Sequence, residues 1–177
     1  MSTLKVNKII PTAGVPTGGG GGIIQVKSVT KTDVFSVTAS DGNFSDITGL
    51  SVSITPTTNT SKILIYFQSN FSAAINQRGS FRLLRGSTVI NAAGADGNST
   101  NESIFSSLCT RDNNHESIPV AGVFLDSPTT ASAVTYKLQV GAENSAGTIY
   151  VNRTQAGGTG TNQYLGVSNL LVQEVSA

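Results

Sequence analysis

The stretch LCTRDNNHES places the chain's one cysteine, Cys109, and its one histidine, His115, close together, with Asp112 between them and Glu116 following. These residue types could make a nucleophile and its base. A working dyad also needs an orienting third group and an oxyanion hole, and a zinc site needs further ligands; the sequence offers neither. His115 therefore reads as an exposed loop residue. The chain is expected to be no enzyme, with no catalytic residues, no metal and no cofactor.

A second candidate is DGNSTNE, 96–102, where Asp96, Asn98, Thr100 and Glu102 alternate as oxygen donors. The central glycine and closing glutamate of a calcium loop are missing, so the segment reads as an Asn-rich contact loop. Together with QAGGTGTNQ, 155–163, it supplies the expected contact residues Asp96, Asn98, Asn101, Thr159 and Asn162. Both loops are longer than a hairpin needs, which suits exposed contact or packing against another subunit.

Arg78, Arg82 and Arg85 form a third cluster, in RGSFRLLR. A guanidinium fork makes two parallel hydrogen bonds, so these three are candidates for contacts between subunits; the alternative is a solvated strand face.

The elements that must position these residues are strands. Apolar residues occur in short alternating runs, not at helical spacing. Runs fall at 23–30, 34–39, 50–56, 62–72, 80–90, 103–108, 118–126, 133–143, 147–154 and 167–176, separated by turn-forming stretches such as TASDGN, TPTTNTS, SPTTASA and ENSAG. That rhythm predicts an all-β chain, an antiparallel β-sandwich of jelly-roll type. In KILIYFQSNF, Ile63, Ile65, Phe67 and Ser69 share one face, expected to be the core side, with Leu64, Tyr66, Gln68 and Asn70 on the other. In AVTYKLQV, Val134, Tyr136, Leu138 and Val140 share a face.

Ahead of the first run stand five glycines, Gly18, Gly19, Gly20, Gly21 and Gly22. No strand precedes them and no helix follows, so a phosphate loop is not supported. Without Cβ restraint, the run reaches roughly 12 Å as a coil and acts as a swivel. Residues 1–17 before it hold Leu4, Val6, Ile9 and Ile10, too few to bury themselves, and read as an attachment arm that pairs with another chain. The expected organisation is an arm at 1–17, a hinge at 18–22 and a sandwich domain at 23–177.

Composition narrows the partners. In 177 residues, 11 Lys and Arg stand against 10 Asp and Glu, a net charge of +1, which gives no field toward nucleic acid or anionic membrane. One cysteine excludes an intrachain disulfide. The N-terminal residues lack the apolar core of a secretory leader, so synthesis in a cytoplasm is expected. The Asn-x-Ser/Thr triplets at 43, 59, 70, 98, 101 and 152 follow from a composition rich in these residues. Mixed aliphatic and hydroxyl strand faces suggest that some apolar area is buried between copies.

STLKVNKI at the start, FSDITGLSVSITPTTNTSKILIYF, GSFRLLRGSTVI and GVFLDSPTTASAVTYKLQVGAENSAGTIYVNRT resemble small virion proteins of tailed phages, of cyanophage and marine phage type. The run at 46–56 and FLDSP…VTYK, 124–137, are the most specific pieces. The resemblance implies a tail-fibre-like virion structural protein, a homotrimer of jelly rolls docked through its arm to other virion proteins. Its head would be displayed to a host surface receptor. The alternative it leaves open is a capsid decoration or cement protein.

Overall fold

The computed structural model describes residues 22–40, 42–90, 106–109, 115–142, 146–157 and 165–175. The arm residues Leu4, Val6, Ile9 and Ile10, the hinge glycines before Gly22, and the loop residues Asp96, Asn98, Asn101, Thr159 and Asn162 lie outside them.

Among the described residues there are eleven strands: β1 (Ile23–Lys31), β2 (Phe35–Ala39), β3 (Phe44–Ile54), β4 (Lys62–Ala73), β5 (Arg78–Arg85), β6 (Thr88–Val89), β7 (Ser106–Cys109), β8 (Ile118–Asp126), β9 (Val134–Ala142), β10 (Gly147–Val151) and β11 (Ser168–Val175). All pairings among them are antiparallel. One edge of β4 is shared by β11 over Lys62–Gln68 and by β10 over Phe71–Ala73, and β8 takes the other edge. Outside β11 and β10 lie β1 and β2, so each of these pairs is one interrupted line. In the second sheet, β9 lies between β3 and β5, and the far edge of β5 is shared by β6 and β7.

With the interrupted lines merged, the first sheet reads β1/β2, β10/β11, β4, β8 and the second β3, β9, β5, β6/β7. Eight positions whose connections cross between sheets, save the β5–β6 hairpin within the second, make the double Greek key of a jelly roll. The expected all-β, antiparallel, jelly-roll-like sandwich is the observed fold.

Period-2 patterning explains which side faces in. Ile63, Ile65, Phe67, Ser69 and Phe71 of β4 are buried against Leu170 and Val172 of β11, and across the core lie Leu50, Val52, Ile54, Tyr136, Leu138, Val140, Phe81 and Leu83 of the second sheet. The anticipated faces of β4 and β9 are correct. Phe71 and Phe81 meet across the sheets at 4.5 Å between ring centroids and 58°, a tilted pair contributing about 1 kcal/mol beyond burial.

β10 stops at Val151, short of the expected 154, and two further differences have a local cause. β3 begins at Phe44, ahead of the anticipated 50–56, because a register shift between Asp46 and Ser51 interrupts its alternation. The run 80–90 is a strand pair: Gly86, at φ 60°, turns β5 into β6, a conformation a Cβ would oppose.

Candidate interaction surfaces

Polar groups are built into the core at two places. At one end the inward row runs Gln25, Glu174, Ile63, Asp126 across β1, β11, β4 and β8. Asp126 crosses to the other sheet. Its carboxylate accepts two hydrogen bonds from Arg85 Nη1, at 2.8 and 2.9 Å, and one from the Tyr136 hydroxyl at 2.7 Å. Burial and the adjacent Asp126 carboxylate push the Tyr136 phenol well above its ordinary pKa, so it stays a hydrogen donor.

Glu174 has no exposed surface and clasps the β3–β4 connection. Its oxygens accept from the Thr57 backbone N–H at 2.6 Å, Thr57 Oγ1 at 3.1 Å and Gln25 Nε2 at 2.6 Å. Burial by itself would raise its pKa, but hydrogen bonds from Gln25, Ser61 and Thr57 outweigh it and hold the carboxyl below its usual range.

Farther along β4, between Gln68 and Phe71, both interrupted lines break together. Asn152, wholly buried at φ 60°, donates through Nδ2 to the carbonyls of Lys31 at 2.9 Å and Asp33 at 3.0 Å. It accepts from Ser168 Oγ at 2.7 Å, and Ser168 bonds Ser69 at 2.8 Å. This amide supplies the partners that strand pairing would have given there. It also explains why Asn152, although in an Asn-x-Thr triplet, presents no side chain for glycosylation.

The outer faces of the two sheets differ in chemistry. On the second sheet Asp46 accepts from Lys137 and Gln139 at 2.7 Å each, Ser53 pairs with Thr135 at 2.7 Å, and Arg82 donates to Gln139 at 3.3 Å. Burial would raise the Asp46 pKa, but its bonds from Lys137 and Gln139 lower it. This face is polar and bonded within the chain. The first sheet's outer face instead carries Leu64 and Tyr66 of β4 opposite Leu125 and Val123 of β8, with Leu171 of β11 on the other side of Tyr66. Val123 is 56% exposed, Leu125 50% and Tyr66 44%.

Of the three arginines read as subunit contacts, Arg85 forms the intrachain ion pair with Asp126, and Arg82 stacks over Phe44 at 3.5 Å from the ring centroid. Arg78 is exposed at the start of β5. His115 lies in an exposed turn. Among the described residues, no cluster of three or more His, Cys, Asp or Glu could hold a metal, and no helix is long and apolar enough to cross a membrane.

The apolar sheet face was missed at the sequence level. Its signal was present in the second face of KILIYF and in the alternate positions of IPVAGVFLD, but only pairing places the two strands side by side.

No family model matches the sequence, and no curated protein matches it. Among solved structures, the chain is similar to one from infectious bursal disease virus, Gx strain, with 13% identity, TM-score 0.44, and coverage of 94% of this chain and 44% of that one. A chain of the T13 particle of the same virus gives 13% identity, TM-score 0.39, and coverage of 94% and 41%. The VP2 subviral particle gives 13%, 0.31, 85% and 39%. The chain thus spans less than half the length of these solved chains.

Proposed function

We propose that this chain is a virion structural protein of tail-fibre-like type, whose N-terminal arm anchors a self-associated, homotrimeric jelly-roll head to other virion proteins. The observation that carries this reading is the contrast between the outer faces: one is polar and internally bonded, the other a broad exposed apolar sheet suited to assembly. The sequence resemblance to small phage virion proteins points the same way.

The corner at which the chain enters the domain also supports the reading. Ile23 is paired with Val175, and the glycine run directly precedes it. A tether leaving there would let a fixed anchor serve a mobile head displayed to a host surface, with no enzymatic step and no cofactor. Capsid decoration uses the same parts, and the exposed apolar face gives that reading a surface to rest on a lattice.

Deleting residues 1–22 and measuring incorporation tests the anchor: a folded head that no longer joins particles is expected, and undiminished incorporation overturns it. Quantitative mass spectrometry of particles separates the two positions. A few dozen copies or fewer per particle, on the order expected for fibres, fits the tail; a ratio near that of the capsid protein fits decoration.

A further inference from the structure

We propose that the outer face of β8, β4 and β11, centred on Tyr66, Val123 and Leu125, is the surface on which a second copy of this chain packs. The inference rests on the self-association in the reading above and names its surface, which is not the arginine cluster.

The first argument is the pattern of charge. From Ile118 to Leu125, β8 carries no ionisable side chain, and among the described residues it pairs with β4 alone. The opposite edge strand, β1, carries the exposed Lys27, a charge that discourages pairing with another chain at that edge, while its Lys31 is buried and ion-paired with Asp33. Across the face itself the outward residues of β4 and β8 are Leu64, Tyr66 and Gln68 opposite Leu125, Val123 and Ala121, with Lys62 at the corner. Two copies meet here without like-charge repulsion.

The second argument is the polar chemistry around the apolar centre. Gln68 is paired with Asn169, and Leu64 with Gln173, so primary amides border the leucines and tyrosine. An amide both donates and accepts, so a surface bordered by amides can satisfy its own copy, whereas a charged border needs a partner of opposite sign.

The third is size. Beyond β11, β1 extends the face with the exposed Val26 opposite Gln173, so four strands about 4.8 Å apart and seven residues of about 3.4 Å each give roughly 450 Å² of sheet per copy. Two such faces bury on the order of 1,000 Å², where specific interfaces begin.

The test is sedimentation of the full chain at micromolar concentration, comparing wild type with Val123→Lys, and with Arg78→Ala as a control on the arginine cluster. Expected is an assembled wild type, association at least about 100-fold weaker in Val123→Lys because a charge would be buried, and an unchanged Arg78→Ala. Circular dichroism checks folding; should Val123→Lys fail it, Ala121→Lys, exposed on the same face, takes its place. A monomeric wild type overturns both the surface and the self-association it rests on. An assembled wild type whose lysine variants stay assembled overturns the surface alone. Neither result bears on the anchoring arm, which the deletion tests separately.

Discussion

Asp126 and Glu174 occupy the same inward-facing row of one sheet, separated by Ile63, whose β4 position pairs with both. Each carboxylate is buried, and each reaches outside its own sheet: Asp126 to Arg85 and Tyr136 of the facing sheet, Glu174 to Thr57 on the connection between sheets. An acidic pair beside a wholly buried isoleucine is tolerable because hydrogen bonds replace the lost water.

The Asp126 clasp predicts unequal costs. Tyr136→Phe removes one hydrogen bond and should destabilise by about 1 kcal/mol, while Asp126→Ala strands both donors and should cost about 3 kcal/mol. Urea unfolding of the two variants measures this. Equal losses would show that the carboxylate does not bridge the sheets.

Glu174 predicts an acid limb in stability. Its folded pKa lies below its ordinary 4.5, so its stabilisation is present above the unfolded value and is lost as pH falls through the folded one. Unfolding free energy should therefore decline below about pH 4.5, and Glu174→Gln should flatten that decline while costing about 1–2 kcal/mol at neutral pH. A variant with an unaltered pH profile would remove Glu174 as the cause.

Asn152 combines a backbone and a side-chain requirement. Asn152→Ala loses three hydrogen bonds, two of them buried, and keeps a Cβ at φ 60° without the amide's compensation, so about 3 kcal/mol or more of destabilisation is expected. Asn152→Gly keeps the conformation and should recover about 1 kcal/mol of that loss. Thermal unfolding of both variants gives the comparison; an alanine variant as stable as the glycine one would mean the backbone there relaxes.

Gly79 is set by close approach. A Cβ added there would stand 2.6 Å from Cζ of Phe71 and 2.9 Å from Cδ1 of Ile149, both wholly buried. Gly79→Ala should overpack the core and cost about 2 kcal/mol in denaturant unfolding. A neutral outcome would show that the Phe71 ring can move within the sandwich.

Much of the fold was legible because each strand's alternation records a local fact: which side meets water. Ile63, Ile65 and Phe67 advertise a core face, and Pro, Asn and Gly between runs advertise reversal. Asn152 gave no such signal. It sits in a polar stretch like many others, and its burial follows from the coincidence of two strand breaks contributed by distant parts of the chain. Arg85 was legible as an arginine suited to pairing, but its partner Asp126 lies 41 positions away and meets it only across the sandwich.

What the sequence determined alone was the all-β character, the core-facing residues of its clear strands, and the placement of a glycine run ahead of the first strand. These depend on backbone propensity and period-2 burial, which act between neighbours along the chain. The tertiary structure decided which strands lie side by side. It thereby placed Tyr66, Val123 and Leu171 on one exposed face and set Asp46, Lys137 and Arg82 in a bonded network on the other. A surface of that kind is made by residues adjacent in the sheet and remote in the chain, because its chemistry is a property of strand order.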